Sequence, residues 1–318
     1  MQQMRALVKA GSQTRLRRVP VPQPAASEVR VRVELAGLCR TDVQVAQGQL
    51  PSIDPVILGH EFAGVLDALG TQVTRLRFGQ RVAVLPVLAC ACCPVCAAGD
   101  TINCPQRTML GVDRDGAFAE FVCVPAPSVY PIPDHLDSRL AAYAEPVAAA
   151  LAVLTAGIRP EQRGLILGRN RFARLVERLL RLHGIGNLET EASRESTASW
   201  LPDSFDFVIE TALNDACLAA MIQAARPRGT LLIKSRRPGT VALPVLPLLR
   251  KQLTLRAVNY GCFRTALRLL AEGQLDVRDL LGPIEPLETF ESVFAQAARD
   301  ETAKVFFDPS RAHVRHPG

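Results

Sequence analysis

The stretch CACCPVCAAGDTINC, residues 90–104, gathers five of the nine cysteines of the chain into one short segment. Four of them follow the spacing C-x2-C-x2-C-x7-C: Cys90, Cys93, Cys96 and Cys104. Four thiolates from one loop are the ligand set of tetrahedral structural zinc, which keeps no position open for a substrate. The loop has no apolar periodicity of its own, so metal binding would supply the folding free energy of this lobe. The spacing therefore predicts a structural zinc site.

Two alternatives to this ligand set stay open at the level of sequence. Cys92 lies inside the same stretch and allows a register shifted by one position. The other alternative is a loop of free thiols without a metal, although exposed thiols in such density are prone to oxidation.

Length and composition narrow the class of protein. The chain has 318 residues, of which 48% are hydrophobic and 21% charged, and this favours two globular domains. The net charge is +6, and the positive residues are spread along the chain rather than clustered in one segment. We therefore expect no nucleic-acid partner. We find no secretory signal and no uninterrupted apolar run of about 18 residues, so we expect a cytoplasmic protein with no membrane partner. Cysteines in that compartment favour metal ligands over disulfides.

A second set of candidate ligands is dispersed over three segments. Cys39 lies in GLCRTD, His60 and Glu61 lie in LGHEFAG, and Glu145 lies in AEPVAAA. Each residue alone is more often structural than ligating. Together they offer a thiolate, an imidazole and two carboxylates, and three such ligands plus water form an open, Lewis-acidic zinc site.

The order and spacing of these segments resemble the zinc-dependent medium-chain dehydrogenase/reductase family, in particular its alcohol, sorbitol and threonine dehydrogenases. The resemblance is densest between residues 37 and 151, in GLCRTD, LGHEFAGVL, GQRVAV, the four-cysteine lobe, GAFAEFVCVPA, YPIPD and AEPVAAAL. Weaker matches follow in DFVIET, GTLLI, LLRKQLTLRA and KVFFDP.

The resemblance implies an α/β fold with two domains. The first is a GroES-like β-barrel catalytic domain over residues 1–148, to which residues 286–318 return. The second, over residues 149–285, is a truncated Rossmann-like, doubly wound domain. The family further implies a small-molecule substrate and a homodimer or homotetramer.

The same resemblance implies roles for the dispersed residues. Cys39, His60 and Glu145 would ligate a catalytic zinc. Glu61 would be an alternate ligand or a residue that contacts one of the ligands without touching the metal. Asp42 would orient His60 by accepting a hydrogen bond from it.

The residues around Cys39 would handle the proton and the cofactor. Thr41 takes the position of the family's hydroxyl that passes the substrate proton toward solvent, and Arg40 a position that contacts the cofactor pyrophosphate in some members. Gln44 replaces a histidine of the relay found in some alcohol dehydrogenases, so the proton would continue through water or the ribose.

The predicted cofactor loop departs from the dinucleotide fingerprint G-x-G-x-x-G/A. Gly168 and Ala173 keep its first and last positions, but Asn170 stands where the middle glycine lets the backbone approach the pyrophosphate. Glu189 is the candidate for the acid that binds the ribose, about 20 residues further on. Glu191 is close enough to serve instead, and both glutamates are equally consistent with exposed charges at a strand end.

The nucleotide domain is also short. A βαβ unit needs about 30 residues or more. The predicted strands at 165–167 and 205–210 lie too close for a complete βαβαβ half between them. We therefore predict that at least one helix–strand unit is missing, with SRESTASWLPDS (193–204) as a polar linker.

Two functions follow from these observations. The first is zinc-dependent hydride transfer between a secondary alcohol or ketone and NAD(P), with one catalytic and one structural Zn2+. The second is a zinc protein of the same ancestry that has lost redox turnover and acts as a lyase, isomerase, cyclase or binding protein. Asn170 and the missing unit favour the second function and make NAD(P) binding doubtful.

Overall fold

The computed structural model of the chain describes residues 2–191, 200–236, 238–299 and 302–311. In chain order the strands are β1 (Gln3–Ala10), β2 (Gln13–Pro20), β3 (Glu28–Gly37), β4 (Val56–Ile57), β5 (Glu61–Leu69), β6 (Arg81–Val84), β7 (Val87–Leu88), β8 (Thr108–Met109), β9 (Phe121–Pro125), β10 (Val129–Pro131), β11 (Gly164–Leu167), β12 (Leu188–Thr190), β13 (Phe205–Glu210), β14 (Ala225–Ile233), β15 (Thr254–Ala257), β16 (Leu281–Pro286) and β17 (Lys304–Asp308). The α-helices are α1 (Arg40–Ala46), α2 (Pro94–Ala97), α3 (Ser138–Ala142), α4 (Ala144–Leu151), α5 (Arg171–Leu182), α6 (Asp215–Ala224), α7 (Val245–Lys251), α8 (Phe263–Ala271) and α9 (Phe290–Ala297).

The chain divides into two units, one formed by Met1–Glu145 with Phe263–Gly318 and the other by Pro146–Cys262. The second unit begins close to the predicted residue 149 but ends at Cys262, not at residue 285. The reason is α8, whose Phe263 ring lies 5.0 Å from the ring of Tyr130 in the first unit. An amphipathic helix carries no signal in its own sequence for which of two cores it joins.

The first unit is built mostly on antiparallel strands, with β16 and β17 paired in parallel. A seven-stranded sheet has the order β10-β6-β5-β3-β17-β16, with β9 also paired to β3, and a three-stranded sheet has the order β2-β1-β4. In β3 the buried Val29, Val31 and Val33 alternate with more exposed residues, the period-two pattern of a half-buried strand. Its partners β5 and β17 both meet its C-terminal end, where Gly37 lies opposite Glu61 and Phe306. This register gathers segments distant in sequence beside Cys39.

The second unit is a parallel sheet with the order β12-β11-β13-β14-β15. The dinucleotide-binding order is 3-2-1-4-5-6. The observed order matches it with the third strand absent among the described residues. Residues 191–204 connect β12 to β13, far fewer than two crossovers of about a dozen residues each plus a strand would need. The prediction of a missing helix–strand unit is therefore confirmed for this sheet, and most of its predicted linker, residues 193–199, lies outside the described residues.

Residues 138–156 form an apolar helical stretch that is long enough to span a membrane by length and composition. Of its most apolar window, 72% is buried inside the protein, which is the pattern of an internal helix. In the described residues this stretch is the one candidate of its kind, and it is weak evidence for a membrane span.

Two candidate metal centres and the cofactor loop

The four-cysteine lobe brings its thiols to the spacing of a metal site. Neighbouring Sγ atoms of Cys90, Cys93, Cys96 and Cys104 lie 3.5–3.9 Å apart. A tetrahedron with Zn–S bonds of about 2.3 Å has edges of about 3.8 Å. The predicted ligand set therefore fits tetrahedral zinc. Cys92 is exposed and lies outside the group, so the shifted register is not the one that the fold adopts.

Local backbone geometry aims these thiols inward. Cys93 is the N-cap of the short helix α2, and its Sγ accepts a hydrogen bond from the Cys96 amide at 3.5 Å. The Cys90 amide donates to Cys104 Sγ, also at 3.5 Å. Helix α2 has no buried residue, so the lobe has little apolar packing to hold it in place. A metal held by the four thiols would therefore supply much of the stability of the lobe.

The thiols are electrostatically unequal. Backbone N–H groups, first that of Cys92 and then that of Cys93, lower the pKa of Cys90 to about 6. Desolvation and the neighbouring thiols raise the pKa of Cys96 to about 12. A divalent cation would stabilise all four as thiolates, because metal ligation requires the deprotonated form.

A second group of ligand atoms comes from Cys39, His60 and Glu61, whose side chains lie within 4.8 Å of one another. His60 and Glu61 are buried and Cys39 is half-buried. Nε2 of His60 is buried and has no hydrogen-bond partner among the described residues. A buried polar atom without a partner is costly, and a metal ligated by Nε2 removes that cost. The thiolate, imidazole and carboxylate are also the donor types of catalytic zinc, so these residues fit the metal.

Asp42 holds this group in place, as predicted. One oxygen of its carboxylate accepts from the Gly59 amide at 2.9 Å and lies 3.2 Å from His60 Nδ1; the other accepts from the Cys39 amide at 2.9 Å. Gly59 has φ +96°, and a Cβ there would lie 2.6 Å from the Phe118 ring. Only glycine fits the turn that delivers His60.

The charges around His60 favour its protonated form when no metal balances them. Burial alone lowers the pKa of His60, but the negative charges of Asp42 and Cys39 outweigh burial and raise it well above its usual value. A bound cation reverses this preference, since it requires the neutral imidazole.

Lys304 is the residue of this centre that the sequence analysis missed. Its Nζ donates to the Leu38 carbonyl at 3.0 Å and forms an ion pair with Glu61, and both side chains are almost fully buried. A buried carboxylate needs such a partner. Lys304 stands 243 positions from Glu61 in the chain, and only the pairing of β17 with β3 brings them together.

The other predicted residues take separate places. Glu145 is buried in the first turn of α4 and does not join the group of Cys39, His60 and Glu61. Thr41 and Gln44 are buried in α1 close to Cys39 in sequence, whereas Arg40 is exposed. The observed group thus contains Glu61 in the place that the resemblance gives to Glu145.

The cofactor loop joins β11 to α5 in the second unit. Gly168 has φ +128°, and a Cβ there would lie 2.0 Å from Thr211 Oγ1, so the loop requires glycine at its first position. Asn170 is the N-cap of α5: its Oδ1 accepts from the Ala173 amide at 2.9 Å. Its Nδ2 donates to Thr211 Oγ1 at 3.1 Å. The two ends of the predicted fingerprint are kept, and its altered middle residue is bonded within the protein.

Glu191, not Glu189, is the acid at the cofactor loop. Glu189 lies within β12 and forms an ion pair with Arg163 at 2.5 Å. Glu191 follows β12 directly, and its carboxylate accepts from the Gly168 amide at 2.8 Å. The spacing rule of about 20 residues does not locate the end of a strand, so the ribose-binding role of Glu189 stays a prediction, and Glu191 is the alternative whose carboxylate contacts the loop.

Comparisons with known proteins show relatives in sequence and in fold. Residues 25–134 match the alcohol dehydrogenase GroES-like domain. The chain is 29% identical to L-threonine 3-dehydrogenase of Rhizobium johnstonii over 96% of this chain and 98% of that protein. It is 35% identical to the starvation-sensing protein RspB of Escherichia coli over 57% of this chain, and that match spans just over half, 56%, of RspB.

Among solved structures, a zinc-binding dehydrogenase of Sinorhizobium meliloti, crystallised with NADP, is similar to this chain. The TM-score is 0.87 at 27% identity, and the match covers 97% of this chain and 100% of the other. The predicted GroES-like and Rossmann-like architecture is confirmed by these matches. The chain is therefore similar to the zinc-dependent medium-chain dehydrogenase/reductase family, in its GroES-like domain and in its fold.

Proposed function

We propose that the protein is a zinc-dependent dehydrogenase that transfers hydride between a secondary alcohol or polyol and NAD(P). The observation that carries the proposal is the buried Nε2 of His60, which has no partner among the described residues and lies in one group with Cys39 and Glu61. The group of four cysteines lies in the same unit and leaves no position open for a substrate, so the chain would hold one catalytic and one structural zinc.

In this proposal the zinc and NAD(P) supply the reactive chemistry, and residues of the chain orient the metal ligands and move the proton. Zinc, when bound, supplies a Lewis acid for the alcohol oxygen, and NAD(P), when bound, accepts the hydride. Asp42 keeps His60 in one orientation and so fixes which ring nitrogen faces the metal. Lys304 neutralises Glu61, which keeps the net charge of the ligand group low. Thr41 Oγ1 would accept the proton of the substrate hydroxyl while its own hydroxyl proton passes to water, so that the threonine stays neutral.

The acid at the end of β12 favours NAD over NADP. A carboxylate in this place accepts a hydrogen bond from the ribose 2′-hydroxyl and repels a 2′-phosphate. Glu191 already lies against the loop through Gly168. We expect the protein to bind NADH more tightly than NADPH.

A second candidate function rests on the cofactor loop. The amide of Ala173 is bonded to Asn170, and the described sheet lacks the third strand of the dinucleotide fold. These features favour a protein that keeps its zinc but uses it for non-redox chemistry, such as a lyase, isomerase or cyclase, or for binding. Zinc content is the same in both candidates, so nucleotide binding separates them.

The protein acts on a small molecule in the cytoplasm, without nucleic acid or membrane, as a homodimer or a homotetramer. Support for self-association comes from β15, which pairs with β14 on one side and has no strand on the other within the described residues. Every residue of β15 is exposed, and large apolar side chains nearby are exposed as well: Leu243, Val245, Leu246, Leu249 and Leu255. Two copies joined at this edge would cover both the strand and the apolar surface.

The experiment combines metal analysis with turnover. The purified chain should contain two zincs, and a panel of secondary alcohols and polyols should reduce NAD+ with at least one substrate. The T41V variant should keep both zincs and lose most of the turnover. A two-zinc protein that binds NADH but turns over no alcohol or ketone would contradict the dehydrogenase proposal. A monomer in analytical ultracentrifugation would contradict the proposed assembly.

A further inference from the structure

Asn170 uses its whole carboxamide within the second unit. Oδ1 accepts from the Ala173 amide at 2.9 Å, and Nδ2 donates to the carbonyl oxygen and the hydroxyl of Thr211 at 3.3 and 3.1 Å. The side chain is buried, and the Thr211 hydroxyl donates onward to the Leu167 carbonyl at 3.0 Å. These bonds tie the end of β11, the residue after β13 and the first turn of α5 into one network.

The position of this network matters because it lies on the loop that binds pyrophosphate in the dinucleotide fold. There the phosphates accept hydrogen bonds from backbone N–H groups at the helix N-terminus, and a glycine lets the backbone approach them. In this chain the Ala173 amide, at the third position of α5, already has an acceptor in Asn170 Oδ1. A phosphate oxygen and the carboxamide oxygen therefore compete for the same N–H group.

We propose that Asn170 determines the affinity of this loop for a dinucleotide by standing in for the phosphate. The inference rests on the proposed function, since it concerns the same cofactor. In the absence of nucleotide the asparagine stabilises the start of α5. Binding requires its carboxamide to leave Ala173, so part of the binding free energy is spent on that displacement. The natural chain then binds NADH more weakly than the same chain with glycine at this position.

A matched position in the same unit provides the control. Asn214 is the N-cap of α6, and its Oδ1 accepts from the Cys217 amide at 2.7 Å. Both asparagines follow a strand of the parallel sheet and begin the next helix, but Asn214 lies outside the fingerprint. Replacement of either asparagine by glycine removes the same kind of cap.

The experiment measures NADH affinity by fluorescence titration, and thermal stability and zinc content alongside, in wild type and three variants. N170G should lower the Kd for NADH about tenfold, because bonds to a charged acceptor are about twice as strong as those to a neutral one. N170D keeps the acceptor for the Ala173 amide and adds a negative charge, so it should bind NADH more weakly than wild type; it should also lose stability, because a carboxylate oxygen then faces the Thr211 carbonyl in place of the donor Nδ2. N214G should lose stability and leave the Kd unchanged. All four proteins should contain two zincs.

The outcomes separate this inference from the function on which it rests. Wild type that binds NADH, with N170G binding no more tightly, overturns the role of Asn170 and leaves the dehydrogenase proposal in place. Binding by N170G alone supports the role of Asn170 and contradicts redox turnover by the natural chain. Failure of wild type and N170G alike to bind at millimolar NADH overturns both. An equal gain in N214G also overturns the inference, because the effect would then not belong to the loop.

Discussion

The metal centres and the cofactor loop differ in whether their polar atoms already have hydrogen-bond partners within the protein. At the candidate catalytic centre, Asp42 is bonded to Nδ1 of His60 and Lys304 pairs with Glu61, whereas Nε2 of His60 has no partner among the described residues. At the cofactor loop, Asn170 and Glu191 already bond the amides of Ala173 and Gly168. The first arrangement is incomplete without a ligand. The second is complete without one, so a cofactor must replace internal bonds to bind.

The largest expected effect comes from removal of His60. The H60A variant loses the imidazole ligand of the catalytic centre, so zinc should fall from two per chain to one and kcat/KM should drop on the order of 10³-fold or more. Elemental analysis and steady-state kinetics measure both. The matched control is H135A, because His135 is exposed and far from the group in sequence. Two zincs retained in H60A would remove His60 from the ligand set.

Removal of a thiol from the cysteine lobe should act on stability. C104S takes away a buried ligand, and the lobe has little apolar packing to replace the metal, so we expect a fall in Tm on the order of 10 °C. The loss of one zinc should accompany it.

C92S is the control for this prediction, since Cys92 is exposed and outside the metal group. Its Tm and zinc content should equal those of wild type. A lobe that tolerates C104S but not C92S would restore the shifted register.

A smaller effect is expected where a residue acts only through its neighbour. D42N keeps the shape of the side chain but removes the charge that orients His60, and such changes lower metal affinity about 10- to 100-fold. Competition with a zinc chelator measures the change. D67N, at the partly exposed pair of Arg30 and Asp67 in the same unit, should leave the affinity as it is. Equal zinc affinities in D42N and wild type would show that Asp42 only caps helix α1 and does not orient His60 for the metal.

The smallest effect concerns the choice of nucleotide. E191Q removes the negative charge at the loop and should reduce the preference for NADH over NADPH about tenfold. E189Q breaks the ion pair with Arg163 and should leave the preference unchanged. Calorimetric titration of each variant with both nucleotides gives the two ratios. A shift in E189Q instead would return the ribose-binding role to Glu189.

The sequence was most informative where ligands are close together along the chain. The four cysteines lie on one loop, so their spacing alone predicts the tetrahedral group that the fold adopts. Cys39, His60 and Glu61 required the resemblance, because nothing in their spacing brings GLCRTD next to LGHEFAG.

Three features depended on pairing between distant segments. The register of β17 against β3 brings Lys304 to Glu61, and no local pattern contains that register. The end of β12 decides between Glu189 and Glu191, and strand ends are poorly fixed by composition. The packing of α8 decides where the second unit ends. In each case a tertiary contact decides what the local sequence does not.

One measurement tests whether the cofactor loop still binds a dinucleotide although its amides are already bonded within the protein. It is the calorimetric titration of the two-zinc wild-type protein with NADH and, separately, with NADPH. We predict saturable micromolar binding of NADH and weaker binding of NADPH. Undetectable binding of both nucleotides up to millimolar concentration, in folded protein with two zincs, would contradict the account and leave a zinc protein without dinucleotide-dependent chemistry.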